Sequence, residues 1–222
     1  RERAKIRDLT LEHQLIRSQM NPHFIFNTVT AIQNYIVQHS PIEAVNYLSR
    51  FASLMRQILD NSRKEFVTLD VEIQTLKNYI NLQQLRFPGH FDYRINVGPE
   101  LDPEVVLVPT MLVQPFVENA IEHGFNGNLY PGMIEITWTL NGSELLIEID
   151  DNGVGLVYRE KAHRRHHESF AIPAVQKRLR MIHKRNKFLF EVRDKARIDP
   201  KAMGTNVLFS LPYVTQNDDE SC

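Results

Sequence analysis

A proline at position 22 falls in the middle of a helical pattern, and few features restrict a chain more. Ile6, Leu9, His13, Ile16, Met20 and His23 recur at three- and four-residue intervals, the seam of a two-helix or coiled-coil contact. Beyond the proline, Val29, Ile32 and Ile36 resume the rhythm. Proline in a helix interior removes a backbone donor and clashes with the preceding turn, at a cost of roughly 3 kcal/mol. A kink is therefore expected at Pro22, with the ionisable ring of His23 directly after it. Asn27, one turn on, is spaced to reach that ring and hold its tautomer, which would leave the other nitrogen free as a nucleophile. The local pattern admits two readings of His23, a packed or capping histidine at a kink and a nucleophile. His13, on the same seam, reads as a polar position that sets register.

Ser40-Pro41-Ile42-Glu43 is a helix-start signal, with Ser40 as cap, proline at the first helical position and Glu43 placed to close a capping box. The helix it begins carries Val45, Leu48, Phe51, Ala52, Met55, Ile58 and Leu59 as its expected apolar face. Two helices joined by a few residues form an antiparallel hairpin. Such a hairpin has too little core to stand alone, so pairing with a second copy into a four-helix bundle is expected, which makes the chain a homodimer. Ser62-Arg63-Lys64-Glu65 reads as a polar linker, dividing a helical domain at 1–64 from a second domain at 65–215, with 216–222 as a flexible acidic tail.

The second domain alternates helices and strands. Thr68 is placed to cap a helix burying Leu69, Ile73, Leu76 and Ile80 and stopped by Phe87-Pro88-Gly89. Phe91–Val97 reads as a strand, and Pro109–His123 as a helix ended by Gly124 in a left-handed cap. Ile134–Leu140 and Leu145–Ile149 alternate about Asn141-Gly142 as a hairpin. Ile172–Ile182 follows as a helix, with strands at Phe188–Val192 and Asn206–Leu211. The predicted fold class is α+β: the helical hairpin, then a two-layer α/β sandwich with a mixed sheet of four or five strands.

Composition narrows the function. A formal net charge of -1 gives no basic field for nucleic acid or an anionic membrane. The single cysteine, Cys222, rules out a disulfide framework within the chain and fits a reducing compartment. The longest apolar stretch, Val105–Val117, is interrupted by Pro109, Thr110, Gln114 and Pro115 and falls short of the about 20 apolar residues of a membrane span. The chain opens Arg1-Glu2-Arg3 without an initiator methionine or signal peptide and reads as a soluble, cytoplasmic fragment of something longer.

Two motifs carry chemistry in the second domain. In Gln114-Pro115-Phe116-Val117-Glu118-Asn119-Ala120-Ile121-Glu122-His123-Gly124, a helix would turn Val113, Phe116, Val117, Ala120 and Ile121 inward. Glu118 with Glu122, and Asn119 with His123, then share the polar side. Carboxylate, amide and imidazole together suit a Mg²⁺-nucleotide site, and an ordinary solvated face has the same pattern. The second motif, Asp150-Asp151-Asn152-Gly153-Val154-Gly155, follows a strand. Its glycines allow close backbone approach, and a carboxylate there can accept the exocyclic amine of a purine. It has neither a Walker Gly-Lys-Ser/Thr ending nor a dinucleotide GxGxxG. Gly204-Thr205 enters the last strand.

In this order NPHFIFN, QPFVENAIEHG, DNGVG and GT resemble the LytS-like bacterial sensor histidine kinases, from about Leu11 to Leu211. The histidine box is the specific part. The other boxes are shared across the gyrase, Hsp90, histidine kinase and MutL ATPase superfamily. The resemblance implies that His23 is the phosphoacceptor and that Glu118 helps deprotonate it. It implies that Asn119 ligates Mg²⁺, that Asp151 meets the adenine of ATP, and that Gly153, Gly155, Gly204 and Thr205 line the pocket, with His123 facing the phosphates. It further implies a homodimer, a response regulator as partner, and a full-length protein anchored at the cytoplasmic membrane through a region preceding this one.

One motif departs from the family. Where relatives carry GxGLxNxxxRL, this chain reads Ser169-Phe170-Ala171-Ile172-Pro173-Ala174-Val175-Gln176-Lys177-Arg178-Leu179. Ser169, Ala171 and Ala174 replace both glycines and the asparagine; they are small, and Ser169 could cap the helix. The basic run Lys161–His167 would be the nucleotide lid, and without cysteine or a further ligand cluster His163, His166 and His167 do not make a zinc site. Two rivals to an autokinase follow: a non-kinase ATPase of the same superfamily, and a degenerate kinase acting as a dimeric scaffold.

Overall fold

A computed structural model of the chain describes residues 30, 40–125, 131–155, 171–183, 188–199 and 202–216. The kinked helix with Pro22 and His23, the lid run Lys161–His167, Ser169 and the tail lie outside the described residues. The chain divides into two compact units, Arg1–Glu65 and Phe66–Cys222, taken separately below.

In the first unit, helix α1 spans Pro41–Ser62 and opens with the expected capping box. The Glu43 backbone N–H donates to Ser40 Oγ at 3.4 Å, and the Ser40 N–H donates to Glu43 Oε2 at 3.0 Å. Its buried residues are Ala44, Tyr47, Leu54, Ile58 and Asn61. The predicted apolar face is thereby corrected, because Val45, Leu48 and Leu59 are exposed together with Ile42. Apolar side chains occur on two sides of this helix, so a single-face reading merged two stripes.

The second unit holds a five-stranded sheet in the order β2-β4-β5-β7-β6. The strands are β2 Phe91–Val97, β4 Gly132–Asn141, β5 Glu144–Asp151, β6 Phe190–Asp194 and β7 Thr205–Pro212. β2 runs parallel to β4, and the other neighbours are antiparallel, so the sheet is mixed as predicted. Strand alternation sends Ile134, Ile136 and Trp138 of β4, Leu145, Ile147 and Ile149 of β5, and Val207, Phe209 and Leu211 of β7 into the core. Among the described residues, three helices cover that face: α2 at Leu69–Arg86, α3 at Gln114–Asn119 and α4 at Ala171–Ile182. The Phe116 ring of α3 meets Phe190 and Phe209, and the buried His183, just past α4, faces the Ser210 carbonyl through Nε2 at 3.0 Å.

Three local expectations change. Pro109 does not begin a helix. Leu107–Pro109 forms strand β3, paired antiparallel with β1 at Phe66–Thr68, and α3 starts only at Gln114. Thr68 stands at the cap position of α2 but makes no side-chain cap bond. The first N–H groups of α2 are taken instead by backbone carbonyls, Leu69 donating to Val106 and Asp70 to Pro103. Gly124 is not a left-handed cap: Ala120–Gly124 winds as a π-turn, closed by the Phe125 N–H on the Ala120 carbonyl, and Gly124 is not among the positive-φ glycines.

Candidate functional site

The two motifs of the second domain meet backbone to backbone. The Val154 N–H of the Asp-x-Gly-x-Gly loop donates to the Gly124 carbonyl at 2.8 Å. A Cβ on Gly153 would stand 2.6 Å from that same carbonyl oxygen, so only glycine allows the approach. The π-turn brings this carbonyl to the loop, and π-turns in α-helices mark functional positions.

Asp151 ends β5 with its side chain buried. Its Oδ1 accepts from the Gly153 N–H at 2.8 Å and from the Thr205 N–H at 3.2 Å. The return between β6 and β7 therefore closes over the strand end. There Gly204 has φ 107, and a Cβ would lie 1.8 Å from the Asp151 carbonyl oxygen. Thr205 begins β7 buried, and its Oγ1 has no hydrogen-bond partner. Gly155 faces the Asp194 carboxylate, 3.1 Å from where a Cβ would stand. The predicted Asp151, Gly153, Gly155, Gly204 and Thr205 thus form one continuous cradle.

On α3 and its π-turn, Val113, Phe116, Val117, Ala120 and Ile121 are buried as the helical pattern requires. Glu118 and Asn119 are half-buried on the other side, and His123 is exposed. Glu118 Oε1 accepts from Gln114 Nε2 at 3.0 Å. Glu122 lies 3.8 Å from the Arg86 guanidinium of α2. His23 and the lid, lying outside the described residues, are not part of this geometry.

Several residues that sequence reasoning passed over stand beside the two motifs. Asn152 ties the loop to β4, its Oδ1 accepting from the Met133 N–H at 2.6 Å. Tyr79 of α2 is wholly buried, and burial together with the Glu118 and Glu122 charges pushes its phenol well above the usual range. Glu72, one turn into α2, is also buried and accepts from the Met111 N–H at 2.9 Å. The available signal was a charged residue on the apolar stripe of Leu69, Ile73, Leu76 and Ile80.

The residues fit ATP and Mg²⁺. Thr205 Oγ1 is a buried hydroxyl in want of a partner, and the cradle at Gly153 and Gly204 admits no side chain. Among the described residues no three His, Cys, Asp or Glu side chains gather as a metal cage. Mg²⁺ takes only one or two protein oxygens when phosphates supply the rest, so an amide such as Asn119 is a sufficient donor.

Comparison with known proteins finds histidine kinases. The histidine kinase family model matches residues 11–91. The sensor histidine kinase/phosphatase LytS of Staphylococcus aureus, in strains Mu50 and N315, is 29% identical over 210 residues, covering 94% of this chain and 35% of the relative. The chain thus spans about a third of the length of the curated relatives it matches. Among solved structures, the histidine kinase domain of the blue-light activated kinase EL346 from Erythrobacter litoralis has 16% identity and a TM-score of 0.48, over 92% of this chain and 95% of that one. Histidine kinase ThkA, in complex with response regulator TrrA, has 16% identity and a TM-score of 0.44, over 96% and 65%. The second unit is a two-layer α/β sandwich built on a mixed five-stranded sheet. The chain is similar to LytS-type sensor histidine kinases over nearly its whole length, and its first 91 residues include the match to the histidine kinase family model.

Proposed function

We propose that this chain is the kinase region of a two-component sensor, which phosphorylates itself on His23 from Mg²⁺-ATP and passes the phosphoryl group to an aspartate of a response regulator. The observation that carries this reading is the cradle around Asp151. One buried carboxylate held by two backbone N–H groups, a partnerless threonine hydroxyl and two side-chain-free backbone contacts make a site for a flat, amine-bearing ring. Asp151 accepts the exocyclic amine of adenine, and Thr205 offers its hydroxyl to the same ring. Gly153, Gly155 and Gly204 keep the wall bare, Asn119 ligates the metal, and His123 at the exposed end of the π-turn faces phosphate. Bound Mg²⁺ neutralises charge on the phosphates.

The transfer is an in-line substitution. A ring nitrogen of His23 forms a bond to the γ-phosphorus as the bond to the β,γ-bridging oxygen breaks and ADP departs. Glu118 takes the imidazole proton, from a position where Gln114 already orients its carboxylate. A neutral imidazole dominates near pH 7 and needs no strong activation. The division into two units, 1–64 for dimerisation and phosphoacceptance and 65–215 for ATP, separates donor from acceptor. The homodimer is supported by α1, whose Ile42, Val45, Leu48 and Leu59 stand exposed, an apolar stripe that a second copy would cover. The remaining two-thirds of the relatives' length leaves room for a sensor and membrane anchor; among the described residues no helix is long and apolar enough to cross a membrane.

Incubation with γ-labelled ATP tests the assignment. Acid-labile label is expected on the wild type and absent from His23→Gln. Label persisting in the variant overturns the acceptor, and steady ATP hydrolysis without phosphoprotein would favour the plain ATPase.

A further inference from the structure

The turn at 110–113, which launches the helix bearing Glu118 and Asn119, is gripped from two sides. From α2, Glu72 reaches the Met111 N–H at 2.9 Å through a fully buried carboxylate. From α4, Arg178 donates through Nη1 to the Thr110 carbonyl and through Nη2 to Thr110 Oγ1 at 3.2 Å. The turn is itself costly. Met111 adopts φ 56, the one non-glycine residue at positive φ among those described. α3 has no side-chain cap of its own, since Val113 occupies its cap position. A short helix entered through a strained, uncapped turn keeps its direction only if neighbouring elements hold the turn.

We propose that Glu72 and Arg178 are positioning residues that hold the 110–113 turn in its left-handed geometry and so aim Glu118 and Asn119 at the phosphate end of the nucleotide site. This deepens the nucleotide-site reading and rests on it. The carboxylate acts as a cap delivered from a distant helix. It satisfies a buried N–H that no local side chain reaches. Arg178 also makes the turn answerable to α4, the helix that directly follows residues 156–170 in sequence. The other oxygen of Glu72, Oε1, is buried without a partner, so this carboxylate is retained at a cost that simple packing does not offset. An apolar residue of similar volume would fill the same space but leave the Met111 N–H unpaired.

Two measurements on the whole chain test the inference, with Glu72→Met, which removes the acceptor of the Met111 N–H, and Arg178→Lys as variants that keep most of the volume. The first is amide hydrogen exchange without nucleotide. Exchange across 114–124 is expected to accelerate about tenfold or more in both variants while β4 and β5 keep wild-type protection. Unchanged exchange in 114–124, or acceleration spread evenly over the sheet, overturns the proposal. The second is titration with a non-hydrolysable ATP analogue, with Mg²⁺ and with EDTA. Asn119 acts on the metal and Asp151 on the base, so the variants should lose about tenfold in affinity with Mg²⁺ and less than about twofold in EDTA. Equal losses in both buffers overturn the positioning role, because a general loss of structure has that signature. If the wild type binds no analogue in either buffer, the nucleotide reading falls, and the exchange experiment alone decides whether the grip is real.

Discussion

Glu72 carries a carboxyl where the surroundings are almost wholly apolar, and burial pushes its pKa from 4.5 up to about 7, against the pull of the Met111 N–H, the Arg178 charge and the next two backbone N–H groups. The folded state therefore holds a proton that the unfolded state gives up between those two values. Stability from this group is full below about pH 4.5 and is lost as pH rises through about 7. A shift of this size corresponds to about 3 kcal/mol, an order-of-magnitude figure. Glu72→Gln should flatten that part of the stability–pH profile in urea unfolding at pH 5 and pH 8. Trp138, the one tryptophan and buried in the sheet core, reports on the second unit alone. Gly204 makes the opposite kind of demand, for absence. At φ 107, with Asp151 backbone 1.8 Å from any Cβ, Gly204→Ala should cost roughly 3 kcal/mol or more in thermal unfolding and abolish binding of the ATP analogue. Wild-type affinity in that variant would show that the β6–β7 return does not form the pocket wall.

Among the elements, α1 is the most self-sufficient at its start. Its capping box satisfies two orphan N–H groups by local chemistry, and Ser40→Ala should cost about 1 kcal/mol, seen as faster amide exchange confined to its first turn. α2 begins differently, with the carbonyls of Pro103 and Val106 serving where Thr68 does not, so Thr68→Ala should leave its amino end almost unchanged. The contrast explains why one helix start was readable and the other misread. A capping box is complete within four residues, whereas a backbone cap arrives from a segment far along the chain. The same holds for Leu107–Pro109. Its proline and apolar neighbours suit a helix start until β1, at the opening of the second unit, supplies a pairing partner.

Across the whole molecule, the two units divide the proposed labour, and the second has a complete core of its own around Trp138, Phe209 and Tyr79. A fragment spanning 66–216 should fold, stay monomeric in sedimentation and bind the ATP analogue, yet take no label from γ-labelled ATP. The intact chain should sediment as a dimer and be labelled. A dimeric fragment would move the self-association surface away from α1.

The sequence by itself determined the parts of this protein that are local or periodic. Alternating strands, the α1 capping box, the buried side of α3 and the glycine-bearing motifs are all set by spacing within a few residues. The glycines of the Asp-x-Gly-x-Gly motif stood out because close backbone approach demands glycine, whereas the choice of Asp151 and the place of Gly204 and Thr205 in the same pocket came from the family resemblance. Only the tertiary structure decided how they join. The Gly124 carbonyl meeting Val154, the Gly204 backbone lying on Asp151, and Glu72 and Arg178 gripping the turn ahead of α3 link residues far apart in sequence. Such contacts leave no periodic trace, since a backbone carbonyl or N–H has the same identity at every position. What the chain's motifs specify is the chemistry of the site, and what the sheet and its three helices specify is where that chemistry points.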